Sequence, residues 1–541
     1  MSVRLLHPDE YELPERSSID SQETFNLDDA DFASHLLNKT NGLRRERSFL
    51  SRLLSASLSG FRRIARSPRQ SRRRAACRGR RICFVLHVLT VVLVALIILT
   101  FIFRPSYTHL PPHYKSLRQS VLQSNTPGRG NPRNEKVFIA ASLFDQGGEL
   151  ARGQWSQAVL DLIDLLGEDN VYLSIYENDS GEEGERALRE FDERVPCNKS
   201  IVFEEHFDLS VLPTVTLPDG SVRTKRIAYL AEVRNRALRP LDEDLDTRYD
   251  KLLYLNDVYF DPLDAVQLLF STNIGADGAT RYRAACAVDF INPFKFYDTF
   301  ATRDLQGYSM GLPFYPWFTS AGAGQSRQDV LDQKDAVRVR SCWGGMVAFD
   351  AKYFQGPGTR QDGKSPRDRS AERRFFQTTD IPPKGERRGP VRFRAEKDLF
   401  WESSECCLIH ADIQDTPTSV DEISDTGIYM NPFIRVSYDP GTLSWLWITR
   451  RLEKLYSVVH DVASSIAGLP MYNPRRTEIE GDQVEEKVWM PNAKGDGDGS
   501  FVTVKRIAHN GGFCGRRDLQ VVVMNREKGQ DGWESIPVPP Q

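Results

Sequence analysis

The run Leu252-Leu253-Tyr254-Leu255-Asn256-Asp257-Val258 ends an apolar stretch directly in a polar pair. A carboxylate at the end of a buried strand can hold a divalent cation, and the cation can neutralise a diphosphate leaving group. Oxygen ligands suit Mg2+ or Mn2+. Asp257 is therefore a candidate for metal or nucleotide binding. Asn256 beside it is a neutral group able to hydrogen-bond sugar or phosphate; a plain turn is the structural alternative. Asp261-Pro262-Leu263-Asp264 reads as a helix start, with Asp261 capping and Pro262 in the first position. Asp289 closes the apolar run Ala284 to Val288 and could reach the same site.

Three further segments carry usable chemistry. Trp343-Gly344-Gly345-Met346 pairs two glycines, which let a backbone approach a ligand closely, or simply make a tight turn into a strand. The stretch Phe400 to Asp412 holds Glu402, Glu405 and His410 beside Leu408 and Ile409. On a helix Glu402 and Glu405 would share a face. They could position an acceptor hydroxyl or help hold a metal; a solvated acidic helix is the alternative. Arg226, Glu232 and Arg234 lie on the helical stretch before the Asp257 strand. A guanidinium forks onto phosphate oxygens, although helix arginines are commonly just solvated. GxGxxG and HExxH are absent from the sequence; the Walker A spacing occurs at 358–365 and GxSxG at 307–311, but neither stands between a strand and a helix in this reading, so a phosphate loop, nucleophilic hydrolysis and zinc proteolysis have no support.

The elements that must position these groups alternate. Val137 to Leu143 reads as a buried strand, Gln154 to Leu166 as a helix, and Val171 to Tyr176 as a strand. Glu182 to Arg194 reads as a helix, Ile201 to Phe203 as a short strand, Thr224 to Leu238 as a helix, and Lys251 to Leu255 as a strand. Ala284 to Val288 and Met346 to Phe349 are later strand candidates. The alternation predicts an α/β fold with a mostly parallel sheet, whose ligands bind at the carboxyl ends of strands. Gln355 to Lys397 reads as an exposed loop, and Ser444 to Ala467 as one amphipathic helix packing Trp445, Trp447, Leu452, Leu455 and Val459 into the core.

Ahead of this domain, ten arginines and no acid lie between Phe61 and Arg81. Ile82 to Phe103 then runs about 22 residues without charge, about 33 Å as a helix and enough to cross a bilayer. Charge is heavy before this span and light just after it, which predicts a cytosolic N-terminus. The net charge of −3 argues against nucleic acid as a partner. The expected organisation is a cytosolic tail (1–81), a transmembrane helix (82–103), a Pro-rich stem spacing the domain from the membrane (104–135), a catalytic domain (136–470) and a β-rich appendage (471–541). Cys197, Cys286, Cys342, Cys406, Cys407 and Cys514 would face an oxidising lumen, with pairing left open. Asn178-Asp179-Ser180 and Asn198-Lys199-Ser200 are glycosylation triplets, Asn198 being the better acceptor.

Several strings together resemble a known family: SIYENDS (174–180), AEVRNRAL (231–238), LYLNDVYF (253–260), AACAVDF (284–290), CWGGMVAFD (342–350), WESSECCLIHADI (401–413) and GGFCGRR (511–517). Over about Lys136 to Pro540 the chain resembles the fungal cryptococcal-mannosyltransferase and capsule-associated protein family, glycosyltransferase family sixty-nine. The resemblance implies a type II Golgi membrane enzyme with a GT-A-like fold and a lumenal catalytic domain. Its donor would be GDP-mannose and its product an α-1,3-linked mannose on a glycan acceptor, with retention of configuration. Mn2+ (or Mg2+) would bind the diphosphate. Asn256-Asp257-Val258 stands where such enzymes carry Asp-x-Asp. Val258 supplies no second carboxylate, so His410 or Asp289 would complete the metal site. Gly344 and Gly345, with Arg226 and Arg234, would line the donor, and Glu405 with Glu402 would serve the acceptor or the transition state. The family also has members tied to capsule assembly or export, so a non-catalytic lumenal scaffold is the alternative. Convergence of Asp257, Glu402, Glu405 and His410 on one pocket would separate the two.

Overall fold

The apolar runs Val137–Leu143, Val171–Asn178 and Lys251–Leu255 form parallel strands covered on both faces, with the more exposed Asn198–Glu204 at the sheet edge. The computed structural model describes residues 69–244, 247–356, 389–491, 499–523 and 532–539. The strands β1 (Val137–Leu143), β2 (Val171–Asn178), β3 (Asn198–Glu204) and β4 (Lys251–Leu255) pair in parallel, in the order β3-β2-β1-β4. The helix α3 (Gln154–Leu166) packs on α6 (Pro262–Ser271), and α5 (Arg226–Arg236) on α7 (Glu405–Ile413). Asp261 caps α6, its side chain accepting from Leu263 N, with Pro262 at the first position.

The later strands extend this sheet. They are β5 (Ala284–Phe290), β6 (Arg303–Asp304), β7 (Val337–Ser341), β8 (Met346–Asp350) and β10 (Ile428–Ser437), giving nine strands in the order β3-β2-β1-β4-β8-β5-β10-β7-β6. β8 inserts antiparallel between β4 and β5, and β7 is antiparallel to β10; the remaining strands share one direction. The mixed, mostly parallel α/β sheet matches expectation. β4, β5 and β10 are buried along their whole lengths, as strands covered on both faces must be. β10 is central yet carries Pro432. The register shifts between Met430 and Arg435, and a bulge is where a sheet interior tolerates proline.

Three expected features differ. The segment 104–135 is not a spacer: Ser106, Tyr107 and Tyr114 are buried, and α2 (Pro112–Gln123) packs on α6. Tyr114 OH accepts from Asn431 Nδ2 at 2.7 Å, tying this segment to the β10 bulge. Ser444 to Ala467 is two helices, α8 (Pro440–Thr449) and α9 (Glu453–Ile466), with Trp445, Trp447 and Val459 exposed. The C-terminal part contains a hairpin of β11 (Gln483–Pro491) and β12 (Gly499–Ile507) but is stitched back to the domain. β13 (Gly515–Arg516) pairs with β9 (Glu402–Ser403), and Cys514 is disulfide-bonded to Cys407. A second disulfide joins Cys286 to Cys342. The helix α1 (Arg69–Phe103) contains one apolar span, Phe84–Phe103, none of it buried inside the protein. Residues 357–388 of the expected loop lie outside the described residues.

Candidate active site

The strand ends β4, β5 and β10 and the turn entering β8 meet at one sheet edge. Asn256, directly after β4, is the hub. Its backbone N–H donates to Gly345 O at 2.9 Å, and its carbonyl accepts from Trp155 Nε1 at 3.0 Å. Its Oδ1 accepts from both Arg234 Nη1 and Trp343 Nε1 at 3.2 Å. With Oδ1 receiving two donors, Nδ2 is left to face Tyr438 OH at 3.4 Å. The Asn256 amide is thus pinned from several directions and positions its neighbours.

Around it lie three carboxylates. Tyr438 OH, directly after β10, donates to Asp289 Oδ2 at 3.3 Å. Asp289 also hydrogen-bonds the Asp298 side chain, and Asp298 N donates to Asp289 Oδ1 at 3.2 Å. Burial pushes both carboxyls up, and the facing charge of Asp298 pushes Asp289 further. Gly345 N donates to Asp298 Oδ2 at 3.3 Å. Asp257 is pushed up to about 6 by burial first, with Asp145 and Asp298 adding and Arg234 opposing. Tyr438 feels Asp298, Asp289 and Asp257 together. Asp298 thus raises both Asp289 and Asp257, and a cation that screened them would favour their ionised forms. Their oxygen-only donor set fits Mn2+ or Mg2+.

Arg234 closes the other side. Its Nε donates to Glu405 Oε1 at 3.0 Å, and its guanidinium lies 4.8 Å from the Trp343 ring centroid. Burial works against its charge, but Cys406 and Glu405 outweigh this and hold its pKa above the ordinary value. The glycine pair is required by packing. Both glycines have φ of +65°; a Cβ on Gly344 would meet Ala287 O at 2.0 Å, and one on Gly345 would meet Val258 Cγ1 at 2.7 Å. Val258 is buried against Gly345.

The expected convergence of Asp257, Glu402, Glu405 and His410 on one pocket does not occur, because Glu402 and His410 lie apart. Asn256, Asp257, Asp289, Arg234, Gly345 and Glu405 come together. Glu402 does not: it sits in β9, before the Ser404 cap of α7, and pairs with buried Lys225 at 3.1 Å. Burial raises its pKa to about 7. The shared helix face fails because α7 begins only at Glu405. His410 is fully buried; its Nδ1 meets Cys406 O at 2.7 Å and its Nε2 lies 3.9 Å from the disulfide sulfur of Cys286. Burial lowers its pKa to about 4, and a neutral core imidazole on its own helix's carbonyl replaces the expected metal ligand. Arg226, two turns before Arg234, donates to Gln520 Oε1 at 3.3 Å and stacks 4.1 Å over Trp533, facing the C-terminal segment. Asn178 is buried and donates to Tyr229 OH at 2.8 Å, while Asn198 is exposed.

Sequence reasoning missed Asp298 and Tyr438. Asp298 lies in a loop with no periodic signal. Tyr438 had one: Asp439-Pro440 repeats the Asp261-Pro262 helix start, with the Asp439 side chain accepting from Thr442 N.

Residues 136–412 match the family described as cryptococcal mannosyltransferase 1, half of the chain. The chain belongs to this family. Family membership supports a role in mannosyl transfer and places the chain among glycosyltransferases. A search of curated proteins finds no match. Among solved structures, the mannosyltransferase PcManGT from Pyrobaculum calidifontis, in complex with GDP-Man and Mn2+, is similar at 11% identity. That match covers 70% of this chain and 76% of the other, with a TM-score of 0.28.

Proposed function

We propose that this mannosyltransferase-family chain is a metal-dependent enzyme moving mannose from GDP-mannose to a glycan acceptor, forming an α-1,3 linkage with retention. It would be held in the Golgi membrane by α1 as a type II protein, with the domain lumenal. The observation that carries the reading is the Asp289–Asp298 pair, bonded to Tyr438 and Gly345, with Asp257 and the Glu405-bound Arg234 beside it at the carboxyl edge of the sheet.

Asp257, with Asp289 and Asp298, would hold the cation. When bound, it supplies charge that stabilises the departing diphosphate. Asp298 takes the place that Val258 leaves empty of charge. Asn256 orients Arg234 and Trp343 through one carbonyl oxygen. Arg234, held over the Trp343 ring, is set to offer its remaining N–H groups to a phosphate. Glu405 fixes the guanidinium and so acts through Arg234 as a positioning residue. Tyr438 donates to Asp289 and orients that carboxyl.

The test is GDP release by the purified full-length protein with GDP-mannose, Mn2+ and mannosyl acceptors. Acceptor-dependent GDP release that stops with chelator is expected. Tight GDP-mannose binding without any release across acceptors would favour the scaffold reading instead.

A further inference from the structure

The helix α9 is built inside out. Its buried positions are polar: Glu453, His460 and Ser464. Each is matched. Glu453 Oε2 accepts from Arg435 Nη2 at 2.9 Å, His460 Nε2 meets Leu312 O at 2.9 Å, and Ser464 Oγ accepts from Leu312 N at 3.1 Å. Gly311 leaves room for the two smaller groups, since a Cβ there would meet His460 Cε1 at 2.7 Å and Ser464 Oγ at 2.8 Å. The outward face carries Val458, Val459, Val462 and Ile466, between 61% and 79% exposed. Just before it, α8 adds Trp445 and Trp447 at 55% and 60%. A helix at a water-facing surface shows the reverse arrangement, and a continuous exposed apolar face marks an interaction site.

What covers this face follows from where α1 ends. α9 packs against α1. Arg451 Nη1 donates to Phe101 O at 3.4 Å, and its guanidinium lies 5.2 Å from the Phe101 ring centroid. The chain leaves the span at Phe103 and is tied down at once: Ser106 N donates to Arg450 O at 2.7 Å, and Ser106 Oγ bonds Glu453. No slack separates the last membrane-spanning turn from the α8–α9 junction. Arg104 is exposed there, close enough to Lys454 to lower its pKa along with burial.

We propose that α8 and α9 dock into the bilayer surface from which α1 emerges. Trp445 and Trp447 sit at headgroup depth and the valine–isoleucine face of α9 meets the acyl boundary. Arg104 and Lys454 face the headgroup phosphates. The domain then lies on the membrane, and β10 runs from the Tyr438 end of the active site directly into the docked α8. This proposal rests on the reading that Phe84–Phe103 crosses the bilayer.

The experiment uses the full-length protein reconstituted in vesicles of phosphatidylcholine brominated on its acyl chains, which quench nearby tryptophans. The expected loss is roughly a quarter of the emission, from 2 of the 8 tryptophans. The conservative pair Trp445→Phe with Trp447→Phe should abolish it, and Val459→Glu with Val462→Glu should reduce it at least twofold. Equal quenching in the wild type and the Phe pair would overturn the proposal, as would no quenching at all. Unquenched protein in which Val459→Cys cross-links two chains would assign the face to a second copy and overturn it too. Washing the same vesicles in alkaline carbonate separates the two levels. Release of the protein sinks the membrane-span reading and the docking with it, whereas retention without quenching sinks the docking alone.

Discussion

Asp257, half-buried, and Glu402, buried, are both carboxyl candidates with raised pKa, yet their neighbours assign them opposite roles. Asp257→Asn keeps shape and hydrogen bonding but loses the ligand charge. Folding should survive, while Mn2+-dependent GDP binding and transfer fall by at least a hundredfold. Melting temperature and GDP binding with and without the ion check this on one variant. Glu402 is a stability group. Its folded pKa, about 7, lies above the ordinary carboxyl value. Its contribution is therefore complete below about pH 4.5 and is lost as pH rises through about 7. Glu402→Gln should flatten the melting profile across that window, by about 3 kcal/mol, with turnover kept. Loss of turnover with an unchanged profile would return Glu402 to the chemistry. Glu405→Gln keeps an acceptor for Arg234 Nε but not the charge, so the KM for the donor should rise about tenfold with kcat little changed. A fall in kcat at constant KM would mean that Glu405 acts on the acceptor or transition state directly. Asp257 was legible because it directly follows an apolar strand. Asp298 was not, because a loop residue reaches a site through chain geometry rather than pattern.

At the level of elements, β1 and β4 were located at their observed ends because burial on both faces leaves no polar alternation to blur them, and α3 because its apolar period stops at Gly167. β10 escaped notice because Asn431-Pro432 reads as a break. The structure places it at a bulge, where Asn431 Nδ2 bonds Tyr114 OH and Thr272 Oγ1. The glycine turn before β8 is where one atom matters most. Gly345→Ala would force a left-handed residue and push Val258. It should cost about 2–4 kcal/mol, measured by denaturant melting, and loosen the Gly345–Asp298 contact. A stability within error of the wild type would show that the turn can relax.

For the whole molecule, the arginine run and the apolar span predict orientation. Protease added to sealed microsomes should clip the N-terminal tail and spare everything after Arg104; digestion of the large domain would rule this out. In the same membranes, Asn198→Gln should remove an endoglycosidase-sensitive gel shift. Asn178→Gln should leave it, because Asn178 is buried against Tyr229. A shift lost with Asn178 instead would mean the β2 end is open during synthesis.

Hydrophobic pattern determined an apolar run long enough to cross a bilayer, the α/β class and the strand carrying Asp257, and motif strings carried the family resemblance. All are local signals: run length, periodicity and strings of neighbouring residues. Tertiary structure decided which acids share a site, that Glu402 and His410 belong to the core, and which cysteines pair. It also decided that 104–135 is packed and that the apolar face of α9 points outward. A helical pattern fixes which residues lie on one face, but not whether that face meets protein or lipid. That depends on the neighbours, and in α9 the polar face found its partners inside the protein, leaving the apolar one for the outside.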